Sequence, residues 1–146
     1  MDAEEYSVAE FMTRDITTVG PDVTVAKCAE TMQAEHVSSA LVSDGHQLRG
    51  IITEKDLARK VVAKALDSGK LLTKDVMSSP VITIAPGAHL NKAIQKMGEN
   101  NVKHLPVIKK GELLGIITAM DIIRVQPSYV ELLGTPKRKR LVQTAI

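Results

Sequence analysis

Residues 8–59 of this chain reappear 65 positions later, at 73–124, without a gap, and 14 of the 52 aligned pairs are identical. The matches include Met12/Met77, Pro21/Pro86, Lys27/Lys92, Met32/Met97, Val42/Val107 and Arg59/Arg124. They are densest at the end, where Gly50-Ile51-Ile52-Thr53-Glu54-Lys55-Asp56 faces Gly115-Ile116-Ile117-Thr118-Ala119-Met120-Asp121. A duplicated unit carries the same apolar face twice, and two copies with a long period bury it by packing as a pseudo-twofold pair with a cleft between them. With 146 residues in all, neither copy could bury much core alone. The expected fold class is therefore α/β (α+β), with two tandem αββα-like repeats at residues 7–70 and 71–127, then a short helix and a basic tail at 128–146.

Each repeat shows the same order of elements. Ser7 stands three residues before Glu10, the spacing of a capping box, and predicts a short helix ending near Met12. Residues 16–19 read as extended, and Gly20-Pro21-Asp22 turns the chain. Val25, Cys28, Ala29 and Met32 recur at i, i+3, i+4, i+7, as do Leu90, Ala93, Ile94 and Met97, so both copies carry an amphipathic helix. Strands follow at 40–43 and 47–53, and again at 105–108 and 112–118, joined by Asp44-Gly45-His46 and Lys109-Lys110-Gly111. A closing helix is expected over 54–67, burying Leu57, Val61, Val62 and Leu66, with Gly69 as its C-cap. In the second copy Pro127 stops the equivalent helix early, and residues 128–133 are expected to form one more short helix.

Composition removes several function classes. Aromatic residues are 2% of the chain and Trp is absent, which argues against base-stacking nucleic-acid platforms. The formal charge of +2 is too small to imply a polyanion partner, although Lys137-Arg138-Lys139-Arg140 leaves a nucleic acid or acidic partner open as the rival reading. Cys28 has no second cysteine to pair with and lies on an apolar helix face, which suits a reducing compartment. The start, Met1-Asp2-Ala3-Glu4-Glu5, lacks an apolar leader, and no run of about 18 apolar residues occurs, so a cytoplasmic protein is expected. The four histidines have no partner at metal-ligand spacing, no phosphate-loop glycine motif is present, and no nucleophile motif occurs. The chain is read as a non-enzyme without a metal site.

A unit of this order, ending in Gly-Ile-Ile-Thr-x-x-Asp and present twice in tandem, resembles the CBS (cystathionine-β-synthase) domain, and the pair resembles a stand-alone Bateman module over residues 7–125. The Thr-x-x-Asp ending has a chemistry of its own. A carboxylate can accept both hydroxyls of a ribose diol, and a threonine at a helix start sits beside backbone N–H groups that favour a phosphate. Thr53 with Asp56, and Thr118 with Asp121, suit those tasks. The same spacing is also a helix cap that any helix can use, and spacing alone leaves both readings open.

The resemblance further implies that each cleft is built from both repeats. Thr53, Asp56, Ile51 and Lys55 would then be joined by Val81 and Ile82 against an adenine, and by Lys103 and His104 toward phosphates. Thr118, Asp121, Ile116 and Met120 would be joined by Ile16, Thr17, Ser38 and Ser39. Because Lys103 and His104 can carry charge whereas Ser38 and Ser39 cannot, a phosphate-bearing ligand should prefer the Asp56 cleft. The implied ligands are adenosyl compounds: AMP, ADP or ATP, with S-adenosylmethionine and NAD sharing the same group. The implied assembly is a homodimer that regulates a partner protein.

Overall fold

The computed structural model of the protein describes residues 6–45, 47–129 and 133. The elements run α1 (Val8–Phe11), β1 (Thr18–Val19), α2 (Val25–Ala34), β2 (Ser39–Asp44), β3 (Gln47–Thr53) and α3 (Glu54–Asp56). A π-helical stretch, Leu57–Val62, continues α3; then come α4 (Thr73–Val76), α5 (Leu90–Asn100), β4 (His104–Lys109), β5 (Glu112–Thr118), α6 (Ala119–Val125) and a 3₁₀ turn, Pro127–Tyr129. Residues 130–132 of the expected last helix and the basic run at 137–140 lie outside the described residues.

In each repeat the amphipathic helix covers an antiparallel hairpin. Val25, Cys28 and Met32 of α2 are buried, as are Leu90, Ala93 and Met97 of α5, matching the 3.6-residue pattern. β2 pairs with β3, and β4 with β5, in the same register and with a bulge at the aligned points Val42/Ser43 and Val107/Ile108. β1 adds a parallel strand beside β2, whereas in the second copy this shrinks to one bridge between Ile84 and Val107. Lys110 and Gly111 both take positive φ, 52° and 78°, as a two-residue hairpin turn of matching twist requires.

The leading helices are exchanged between the repeats. Val8 of α1 and Met12, its C-cap, lie in a core with Leu90, Leu105, Ile117 and Ile122 of the second repeat. Val76 of α4, with Met77 packed beside it, lies in the core of Val25, Cys28, Ala40, Val42 and Ile52 of the first. The backbone repeats the exchange. Thr13 and Ile116 trade N–H···O bonds of 2.8 and 2.9 Å, and Ser78 and Ile51 trade bonds of 2.8 and 3.1 Å. Each hairpin edge is thus closed by a segment from the other copy. Glycine is needed at the crossing: a Cβ on Gly115 would stand 2.6 Å from the Thr13 carbonyl oxygen, and one on Gly50 would strike the Met77 side chain. Neither core is complete without the other repeat.

One expected element ends early. The closing helix of the first repeat stops at Val62 rather than 67, because Ala65, not Gly69, takes the left-handed C-cap conformation (φ 54°). Leu66 N–H bonds back to the Val61 carbonyl and Ala65 N–H to that of Val62, closing the end. Val61 is buried, but Val62 and Leu66, both expected in the core, are 76% and 47% exposed.

Candidate functional site

Both Thr-x-x-Asp segments form closed helix caps. The Asp56 carboxylate accepts the Thr53 N–H at 2.9 Å and the Thr53 hydroxyl at 3.1 Å, while the Asp56 N–H donates to Thr53 Oγ1 at 3.2 Å. Asp121 accepts the Thr118 N–H at 2.9 Å, and its own N–H donates to Thr118 Oγ1 at 3.2 Å. The next N–H groups are used as well, since Glu54 donates to the Ser38 carbonyl at 3.1 Å and Ala119 to that of Lys103 at 2.9 Å. The capping reading of these spacings is therefore realised. Fewer backbone donors face outward than an uncapped helix start would offer, which leaves charged side chains to set each cleft's preference.

Two cavities open where the repeats meet, and the expected residues divide between them. The first, of about 690 Å³, is lined by Ile16, Thr17, Ser38, Ser39, Ile116, Thr118 and Met120, with Asp121 set back in its cap outside the lining. The second, of about 510 Å³, is lined by Ile51, Thr53, Lys55, Asp56, Lys103 and His104. Val81 and Ile82 line neither cavity. Both are half-buried, and Ile82 packs against the core of the second repeat. Both cavities have the size of small-ligand sites.

Their charges differ more than the sequence suggested. The Asp56 cavity gathers four permanent cations, Lys55, Arg59, Lys60 and Lys103, against two carboxylates, Glu54 and Asp56. Among the described residues, the Thr118 cavity has Arg124 as its one permanent cation against Asp15 and Glu54. Arg59, Lys60, Ser78 and Asn101 are lining residues beyond those expected. Arg59 had a signal in the sequence, its identity with Arg124. Lys60 had none, because its aligned partner is Val125.

Ser38, Glu54 and His104 line both cavities and form the wall between them. Ser38 Oγ lies 3.0 Å from His104 Nε2. Burial holds the His104 pKa below the ordinary histidine range; Lys103 adds to that, and Asp121, Glu54 and Asp56 oppose it. His104 is thus neutral near pH 7 and offers the cavity wall a hydrogen-bonding group rather than a cation. Cys28, deep in the first core, has its thiol pushed up to about 11 by burial, which makes it inert as a nucleophile. Among the described residues no three His, Cys, Asp or Glu side chains gather as a metal site, and no helix is long and apolar enough to cross a membrane.

Two interlocked repeats that share twin clefts, each bordered by a capped Thr-x-x-Asp turn, define a tandem-repeat module with paired inter-repeat cavities. The CBS domain family model matches residues 8–63 and 74–128, and the chain belongs to that family. Tandem pairs of this family are in general regulatory ligand-binding modules. An uncharacterized protein of Methanopyrus kandleri is 33% identical over 135 residues, which is 91% of this chain and 69% of the relative. The solved structure of a candidate signal-transduction protein with CBS domains from Burkholderia ambifaria superposes with a TM-score of 0.79 at 29% identity, covering 84% of this chain and 95% of that one. A hexameric CBS-CP12 protein from bloom-forming cyanobacteria superposes with a TM-score of 0.77 at 27% identity, covering 91% and 77%.

Proposed function

We propose that the protein is a nucleotide-sensing regulatory module that holds an adenosyl ligand bearing phosphate, AMP, ADP or ATP, in the Asp56 cavity. The observation that carries this reading is the convergence of Lys55, Arg59, Lys60 and Lys103, from both repeats, around the Thr53–Asp56 turn. A phosphate there meets an excess of permanent cations, whereas the sulfonium of S-adenosylmethionine would meet repulsion. NAD, with its pyrophosphate, stays within the favoured class. The ribose diol is the group suited to Asp56, whose carboxylate lies at the cavity wall.

Regulation follows from where the ligand sits. A molecule that touches both repeats stabilises one arrangement of them, and a partner protein that prefers that arrangement gains or loses affinity by linkage. Nothing in this mechanism needs catalysis, and the module acts as a non-enzyme. Self-association fits the exposed Val62 and Leu66 beside the first repeat, and the cyanobacterial neighbour is hexameric; a homodimer through the helical faces is the simplest form. Cys28, the single cysteine of the chain and buried in the first core, suits a reducing compartment such as the cytoplasm.

A thermal-shift screen of AMP, ADP, ATP, NAD and S-adenosylmethionine tests the proposal. Occupancy at about 100-fold over Kd stabilises the folded state by roughly 2.7 kcal/mol, a rise of several degrees for a chain of this size. The phosphate-bearing ligands should raise Tm and S-adenosylmethionine should not. No shift with any of them at low salt overturns the proposal.

A further inference from the structure

Among the cations of the Asp56 cavity, Lys60 is the one already committed. Its ammonium lies 3.0 Å from Asp56 Oδ1, 2.9 Å from the Val76 carbonyl oxygen and 3.4 Å from Ser78 Oγ. An ammonium has three donors, so this set is complete. The other carboxylate oxygen, Asp56 Oδ2, is held by the cap with Thr53. Three of the roughly four acceptor sites of the carboxylate are therefore taken by this chain's own groups. The aspartate side chain is 13% exposed and the lysine side chain 41%, so the carboxylate is sheltered while water reaches the pair from the lysine side. No equivalent exists in the second repeat, where the residue four after Asp121 is Val125.

We infer that Lys60 is the residue that makes the Asp56 cavity select phosphorylated nucleosides over unphosphorylated ones. The inference rests on the nucleotide-binding reading of that cavity and adds the source of its selectivity. A carboxylate accepts about four hydrogen bonds and Asp56 already holds three, from the Thr53 N–H, the Thr53 hydroxyl and Lys60. A ribose diol that binds through both hydroxyls needs two sites, so one donor must give way, and Lys60, on a long and partly exposed side chain, is the one free to move. A neutral nucleoside offers that ammonium nothing in return, so part of its binding is lost in leaving a half-buried cation with one acceptor fewer. A nucleoside phosphate supplies a new anionic partner within the same cavity, and the displaced lysine re-pairs. Lys60 thus opposes the bare nucleoside and favours the nucleotide through one contact. It also ties Asp56 to the Val76–Ser78 segment that crosses from one repeat to the other, so its release reaches the junction between them.

The test is equilibrium titration of adenosine, 2′-deoxyadenosine and AMP into wild type, Lys60→Met and Lys60→Gln. Each variant's thermal transition is recorded in the same buffer. The glutamine variant keeps a donor for the Val76–Ser78 segment while removing the charge, which guards against loss of fold in the methionine variant. In both variants adenosine should bind more tightly, AMP more weakly, and the AMP-to-adenosine affinity ratio should shrink by about tenfold or more, the size of a charge-assisted contact. 2′-Deoxyadenosine, which lacks one hydroxyl for Asp56, should gain least. If wild type prefers AMP and the ratio survives in a folded variant, the Lys60 assignment is overturned while nucleotide binding stands. If adenosine weakens in step with AMP, Lys60 acts only as a scaffold and the assignment is again overturned. If wild type binds neither compound, the reading of the cavity falls and the inference falls with it.

Discussion

The exchange of leading helices makes its sharpest demand at Gly115, and Gly115→Ala measures it. The new methyl carbon would stand 2.6 Å from the Thr13 carbonyl oxygen, which is itself bonded to Ile116 N–H at 2.9 Å. The nearest obstacle is thus a hydrogen-bonded backbone atom that cannot swing aside, while Met12 Sδ, at 3.0 Å, is a flexible and lesser one. Overpacking of this kind costs about 1–3 kcal/mol, and weakening the two Thr13–Ile116 bonds adds about 1 kcal/mol. The sum of about 2–4 kcal/mol corresponds to a fall in Tm on the order of 10 °C. Gly50→Ala, at the aligned position, meets only the side chain of Met77. A thioether can change rotamer, so its cost should be about 1 kcal/mol. Urea denaturation of both variants, with Met77→Ala and Met12→Ala added in double-mutant cycles, gives the comparison. Gly50→Ala should couple strongly to Met77→Ala, whereas Met12→Ala should relieve Gly115→Ala much less, because the nearest obstacle is the Thr13 carbonyl. Equal costs for the two glycines, or full rescue of Gly115→Ala by Met12→Ala, would refute the crossing geometry.

Other expectations follow from single contacts. Ala65 sits at φ 54°, where a side chain is strained, so Ala65→Gly should raise stability by up to about 1 kcal/mol in a denaturant melt. Asp121→Ala removes a helix cap and should lower stability by about 1 kcal/mol, while Asp56→Ala should cost more because Lys60 also loses its carboxylate partner; unfolding curves of the two variants compare them. The His104 pKa is lower folded than unfolded, so the unfolded chain binds the extra proton. This group's contribution to stability is whole above the unfolded value of about 6.5 and is lost as pH falls through the folded one, a trend that His104→Gln should flatten in melts between pH 7.5 and 5. Removing residues 137–146 should leave AMP affinity unchanged in a titration, since Lys55, Arg59, Lys60 and Lys103 supply the cations that the phosphate needs.

Most of the local structure was legible in the sequence because it is written in periodicity and turn chemistry. The strands expected at 40–43 and 105–108 are observed with one further residue at each end, as Ser39–Asp44 and His104–Lys109. The amphipathic helices bury the faces their spacing implied. Periodicity names a buried face but not the core that receives it, so nothing in Val8 or Met12 announced that α1 serves the second repeat. Val62 and Leu66 look like core residues of a longer helix, but Leu66 lies past the left-handed turn at Ala65, and Val62 ends a π-helical stretch in which Val61 takes the buried side. In the cavities the division of residues followed the repeat, but Lys60 was invisible because duplication highlights what two copies share. The decisive charges stand where the copies differ.

The central claim is that cations contributed by both repeats hold the phosphate of an adenosyl ligand in the Asp56 cavity. Calorimetric titration of AMP into the wild-type protein at about 0.02 M and 0.2 M salt, with adenosine alongside, tests it most directly. The account predicts saturable AMP binding that weakens with salt, and adenosine binding that is weaker at low salt and indifferent to the change. AMP binding that ignores salt, or no saturable binding of AMP at the lower concentration, would contradict it.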